Sequence, residues 1–170
     1  MKKISIAIFI VLTIIFIGSC EKDDICINAN TPLLVITFYD INDTTVVKAV
    51  PSLRVGGIDQ EFTVNTIPDR SDLDSIGLPL KTNDITTSFV FIKDSEGSED
   101  DENLEIGNAD VITFNYKIIE DFKSRACGFI ANYGNLTATL TSDANLWIQN
   151  IIITDTLVKN QAAAHVKIYH

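Results

Sequence analysis

Between Ile112 and Ile118 the chain alternates strictly, with Ile112, Phe114, Tyr116 and Ile118 on one side and Thr113, Asn115 and Lys117 on the other. A period of two places the apolar set on one face of a strand, whereas a helix would scatter the same residues around its circumference. Such a segment folds only if it meets a second apolar layer, so its partners must be sought elsewhere in the chain. Other stretches read the same way. Leu33 to Tyr39 is a β-favouring run in which Leu34, Ile36 and Phe38 share a face, followed by turn residues Asp40 to Asp43. Val46 to Val50 and Leu53 to Val55 flank Pro51, which marks an edge strand or a bulge, and Gly56-Gly57 ends that stretch.

Further strands are expected over Phe62 to Ile67, Thr87 to Lys93, Gly128 to Tyr133, Leu136 to Leu140, Asn145 to Thr154 and His165 to Tyr169, the last as an edge strand. Residues 68–84 read as a loop rich in Asp, Ser and Pro, in which Leu78-Pro79-Leu80 pairs briefly. Gly134-Asn135, set between two apolar runs, predicts a hairpin turn. Helical periodicity is hard to find after Cys20, and there is no internal repeat. The expected architecture is all-β: a two-sheet antiparallel β-sandwich of immunoglobulin-like or transthyretin-like type, with about eight or nine strands.

The first twenty residues follow another logic. Met1-Lys2-Lys3 is a short basic start, and Ile4 to Ile17 is apolar except for Ser5 and Thr13. As a helix that run rises roughly 21 Å, short of the ~30 Å hydrocarbon core, which suits a cleavable signal peptide and not a membrane span. It closes with Ile17-Gly18-Ser19-Cys20, which resembles the lipobox of bacterial lipoproteins: an aliphatic residue, two small residues, then the cysteine that is acylated. Acyl chains, at about 0.8 kcal/mol per buried CH₂, would hold Cys20 at a membrane. Behind it, Lys22, Asp23 and Asp24 look like the surface-export signal of Bacteroidota lipoproteins; the plainer reading is a solvated tether. The organisation expected is a signal peptide over 1–19, a lipidated tether over 20–30 and one β-sandwich domain over 31–170.

Charge narrows the partners. The formal net charge is −10, and loss of Lys2 and Lys3 with the leader leaves −12. Such a chain repels nucleic acid, so none is expected as a partner.

With Cys20 assigned to lipid, Cys26 and Cys127 remain, to be read in an exported protein as a disulfide or as two separate buried thiols. A bridge would close a loop of about a hundred residues, worth roughly 4–5 kcal/mol in the chain-entropy model.

Candidate sites are few. Asp94 to Glu102 could gather oxygen ligands for Ca²⁺ but lacks EF-hand spacing, and it reads better as a solvated hairpin loop. Trp147 and Tyr133 offer aromatic area for a glycan, although a lone Trp in an Ile-rich strand reads first as core. His165 and His170 alternate with Val166 and Ile168 and are expected to face solvent. Thr44, Ser75 and Thr156 each follow an Asp and fit the Asp-Ser/Thr pattern of Bacteroidota O-glycosylation, all in predicted turns. No metal site, cofactor or catalytic residue is expected, for there is no G-x-S-x-G, no H-E-x-x-H and no Gly-rich phosphate loop. A glycosidase needs only two carboxylates at the right separation, which spacing along a chain does not test.

The order of segments resembles a Bacteroidota family of lipoproteins of unknown function (domain of unknown function 6452). The likeness rests on Cys26, Phe38-Tyr39-Asp40, Leu78-Pro79-Leu80, Ala126-Cys127-Gly128-Phe129 and Ala164 to Tyr169. It implies an envelope location and no particular chemistry. The functional expectation is therefore a non-enzymatic accessory or binding lipoprotein of the outer membrane, displayed at the cell surface or on the periplasmic face. Its partner would be another envelope component such as a β-barrel. A glycan-binding module of a polysaccharide-uptake system and a calcium-stabilised structural module are the alternatives.

Overall fold

In a computed structural model, residues 25–26, 30–58, 60, 63–97 and 105–170 are described, and among them there is no helix. Nine strands form two sheets: β1 (Leu34–Tyr39), β2 (Val50–Gly57), β3 (Ser71–Leu73), β4 (Ser75–Leu78), β5 (Thr86–Gly97), β6 (Glu105–Ser124), β7 (Gly128–Leu140), β8 (Asn150–Ile153) and β9 (Val166–Tyr169). The orders are β4-β1-β9-β8 and β3-β2-β5-β6-β7. This is the expected all-β sandwich. All pairings are antiparallel save β1 with β9, which run parallel from Ile36↔Val166 to Tyr39↔Tyr169.

The alternation read from the sequence decides which side chains meet. Leu34, Ile36 and Phe38 from one sheet pack against Phe89, Phe91, Ile112 and Phe114 from the other in a single core. Burying such a side chain contributes about 1.5–3 kcal/mol, so the facing rows are what hold the layers together. Two tyrosines bring hydroxyls into that core, and both donate to backbone carbonyls: Tyr116 to Lys81 at 3.0 Å and Tyr133 to Leu80 at 2.9 Å. Those bonds fasten the connection between β4 and β5. Burial pushes the Tyr133 phenol up to about 12, so it stays a donor at any ordinary pH.

Several local expectations are corrected. Gly134-Asn135 is not a turn: β7 runs unbroken, and Asn135, at φ 55°, is the extra residue of a bulge where the β6 register shifts between Asn115 and Lys117. The left-handed preference of Asn is used there, but the continuous β6 partner keeps the strand straight on. The β6–β7 reversal falls instead at residues 125–127, where Gly128 takes φ 67°. Pro51 does neighbour a bulge, at Ser52 with φ 44°. Thr63 makes one bridge to Gly56 and residues 63–67 form no strand, while the supposed loop 68–84 contains β3 and β4. Trp147 and Ile148 precede β8, which holds only Asn150–Ile153.

The closing strand is also placed differently. β9 is no edge; it lies between β1 and β8. His165 and His170 are therefore buried rather than solvent-facing. His165 receives the N–H of Val35 on Nδ1, and His170 packs edge-on against Phe38 and Trp147, with centroids 6.2 and 5.7 Å apart.

Strand lengths shape the two ends. β6 has 20 residues and β7 has 13, whereas β1, β4, β8 and β9 have only 4 to 6. At roughly 3.3 Å per residue, β6 outruns the opposite sheet. One end of β6 carries the Gly97↔Glu105 pair; the other carries Phe122↔Phe129 and the 125–127 turn.

Candidate functional site

The site is built at the far end of β6. Cys127 lies in the tight turn joining β6 to β7 and is bonded to Cys26, with S–S 2.10 Å across a sequence separation of 101. Cysteine counting therefore pairs the right two thiols. The amide of Cys127 donates to Ser124 Oγ at 3.1 Å, which tightens the turn. Just inside it, Phe122 and Phe129 face each other across the ladder with ring centroids 5.2 Å apart. They stay 55% and 66% exposed because the short strands of the other sheet do not reach them. Beside Phe129 a hollow of about 310 Å³ is lined by Thr31, Thr82, Ile118, Glu120 and Ala131. Lys123 reaches back to Asp121 at 2.6 Å, and that ion pair holds the Asp121 carboxyl below its usual range.

The opposite end is polar and internally satisfied. Glu105 accepts from both Arg54 and Arg70, the latter at 3.0 Å, and from Ser95 Oγ. Arg70 Nε donates to Ser95 Oγ at 3.1 Å, and Ser52 Oγ donates to the Ser95 carbonyl at 2.7 Å. Ser52, Arg70 and Asp94 take φ of 44°, 49° and 53°, so three of the left-handed residues converge on this corner. Both guanidiniums are matched by Glu105 and Asp69, and Ser95 is only 1% exposed. The corner thus pins β2, β3, β5 and β6 together and presents neither an open cation nor a reachable nucleophile.

A second polar group sits in the core. Asp110 occupies an inward position on β6 where the alternation calls for an apolar residue, and its Oδ2 accepts the N–H groups of Trp147 at 3.0 Å and Ile148 at 2.7 Å. Its Oδ1 has no hydrogen-bond partner among the described residues, and burial raises its pKa. The carboxyl holds the 147–148 segment against the core.

That geometry corrects the glycan-contact expectation. Trp147 is 6% exposed, with its ring against Phe38 and His170 and its indole N–H donated to the Phe91 carbonyl at 3.3 Å. Tyr133 is fully buried against Tyr116. Both rings are core, and neither presents a face to a sugar. Of the O-glycosylation candidates, Thr44 and Thr156 stand exposed in Asx turns set by Asp43 and Asp155. Ser75 does not lie in a turn: it is in β4, and its hydroxyl donates to the Ile36 carbonyl at 3.2 Å. Cys20, Lys22, Asp23 and Asp24 lie outside the described residues, as does most of the acidic stretch after Gly97. Among the described residues no group of three His, Cys, Asp or Glu could hold a metal.

A hollow of about 440 Å³ opens between Gly57, Thr63, Val64, Lys81, Thr87 and Phe89. The Thr87 hydroxyl is already engaged by Tyr116 Oη at 2.6 Å and by the Lys81 N–H at 3.1 Å. Sequence reading missed Phe122 and Phe129, although two aromatics flanking a Lys-Ser-Arg-Ala-Cys-Gly stretch were a usable signal. It also missed Asp110, whose place within an alternating strand was the clue. Arg54, Arg70, Ser95 and Glu105 gave no local signal, because the contacts join positions far apart in the chain.

Fold and site together define a disulfide-pinned β-sandwich whose longest hairpin projects an exposed aromatic pair. The chain belongs to the family of unknown function DUF6452, whose model matches residues 52–170. Neither a curated protein nor a solved structure matches it.

Proposed function

We propose that this protein is a lipid-anchored accessory module of the bacterial outer membrane, without enzymatic activity of its own, that docks on another envelope component such as a β-barrel. The Cys26–Cys127 bond carries the reading. It suits an oxidising compartment, and it fastens the domain six residues behind Cys20, the cysteine that resembles a lipoprotein acylation site. A tether so short, welded to a rigid sandwich, suits a protein that works at the membrane surface. The Lys22-Asp23-Asp24 cluster favours display on the outer face.

Mass spectrometry of the mature polypeptide tests the anchor: Cys20 should be the first residue and carry acyl chains. Co-purification from detergent-solubilised membranes tests the docking, and a stoichiometric envelope partner is expected. Recovery of free monomer alone would defeat the accessory role. The glycan-binding alternative loses its support with Trp147 and Tyr133 in the core.

A further inference from the structure

We infer that the Phe122–Phe129 pair rests in the lipid surface, so that the domain touches the membrane at two points, its acyl anchor and the tip of the β6–β7 hairpin. The inference rests on the lipid-anchor reading of Cys20 given above.

Reach comes first. Cys26 is covalently joined to Cys127, which lies in the turn two residues ahead of Phe129. Six residue steps lead from Cys20 to Cys26, a span of at most roughly 22 Å at 3.3–3.6 Å each. The hairpin tip therefore cannot stand off from the bilayer by more than about a headgroup layer or two, and any tilt of the sandwich brings it down.

Chemistry points the same way. Two paired aromatics more than half exposed, with no strand of the other sheet over them among the described residues, form an apolar contact that water leaves unsatisfied. Interfacial segments use Phe in this manner, with basic residues beside it. Here Lys123 and Arg125 flank the pair and offset Glu120 and Asp121, so the tip is neutral within a chain of net charge −10. The opposite end of β6 leads from Gly97 to Glu105 through Ser98, Glu99, Asp100, Asp101 and Glu102. A tip without net charge between Glu120 and Phe129 meets an anionic surface more readily than a stretch of that composition.

Depth-dependent fluorescence decides the matter. The full acylated protein, carrying Phe122→Trp, is reconstituted into phosphatidylethanolamine–phosphatidylglycerol vesicles with or without brominated acyl chains. Phe129→Trp serves as a second variant, and Ile106→Trp, at an exposed position beside Glu105, as the distal control. Trp147 is core and gives a common background. The expected result is loss of most of the added emission of Trp at 122 and at 129 in brominated vesicles, with no loss at 106. If Cys20 is acylated and the protein floats with the vesicles, yet 122 and 129 are quenched no more than 106, the tip contact is wrong and the anchor stands. An unmodified Cys20 on a protein that does not float overturns both. Shielding at 122 that needs added envelope protein, and is absent with lipid alone, also overturns the lipid contact.

Discussion

Val35 and His165 are bound to each other twice: the Val35 N–H donates to Nδ1 of His165 at 3.1 Å, and the His165 N–H donates to the Val35 carbonyl at 2.9 Å. The imidazole extends the β1–β9 pairing by one acceptor just before the strand begins. It can do so only while Nδ1 is unprotonated. Burial lowers the pKa of His165, with the Asp155 charge acting in the opposite sense. His170 is lowered as well, again chiefly by burial.

Acid should therefore loosen the four-stranded sheet first. A histidine whose folded pKa lies below its ordinary 6.5 adds full stability above that value and loses it as pH falls toward the folded pKa. Each pH unit between the two values is worth about 1.4 kcal/mol. Melting temperatures measured from pH 8 down to pH 5, in roughly half-unit steps, should fall below pH 6.5. His165→Asn, whose Oδ1 stands where Nδ1 stood, should keep the Val35 bond and remove roughly half of that fall. An unchanged profile in the variant would rule out the Val35 contact as the sensor.

Asp110 predicts the opposite sign. Its folded pKa is raised by burial above 3.8, so whatever it adds is complete below that value and is lost as pH rises through the folded pKa. Once ionised, the buried carboxylate is a burden that its two backbone donors only partly relieve. Asp110→Asn should be neutral or mildly stabilising at pH 7, since one oxygen can still accept from Trp147 and Ile148. Asp110→Ala strands both donors, at about 1–3 kcal/mol each. Urea titration distinguishes them: equal losses for Asn and Ala would mean that the two N–H bonds carry no weight.

These contacts show what a sequence of this kind discloses. The sandwich was legible because its core rows alternate in register with the pleat, as Ile112, Phe114 and Tyr116 do. Counting cysteines sufficed for the disulfide. Neighbourhoods set by long-range pairing were not legible. Nothing near His165 announces that β9 lies between β1 and β8, so the same alternation that places a strand leaves its histidines' surroundings open. At Asn135 the local signal was sound, a left-handed φ, but a turn and a bulge use it alike. Only the unbroken β6 alongside decides for the bulge. Phe122 and Phe129 escaped notice because strand aromatics are ordinarily core, and exposure here follows from the length of β6 relative to strands in the other sheet.

Two glycines separate backbone strain from collision. Gly107 takes φ 146°, and a Cβ there would stand 2.7 Å from Ile92 Cγ2 and 2.8 Å from the Lys93 carbonyl oxygen. Gly128 takes φ 67° with nothing within 4 Å of the added atom. Gly128→Ala should therefore cost about 1 kcal/mol, the left-handed penalty alone, and Gly128→Asn less. Gly107→Ala must also displace backbone at the β5 bulge and should cost distinctly more, about 2–4 kcal/mol. Comparable losses by urea titration would show that the Lys93 segment yields freely.

The disulfide yields the largest single effect. Joining Cys26 to Cys127 closes a loop spanning 101 positions, and a loop of that size removes about 4–5 kcal/mol of chain entropy from the unfolded state. Small domains have only about 5–15 kcal/mol in total, so the bond is a large part of the margin. The Cys26→Ser/Cys127→Ser variant should unfold at markedly lower urea with a slope at least as steep, because the unlinked unfolded chain exposes more surface, and reductant should bring the parent to the same midpoint. The double variant should also free the segment before β1 from the hairpin, which limited proteolysis would report as faster cleavage ahead of Thr31. A parent whose midpoint ignores reductant would mean that the sandwich holds residue 26 in place without the bond, and the short tether from Cys20 would then no longer be fixed to the Phe122–Phe129 end.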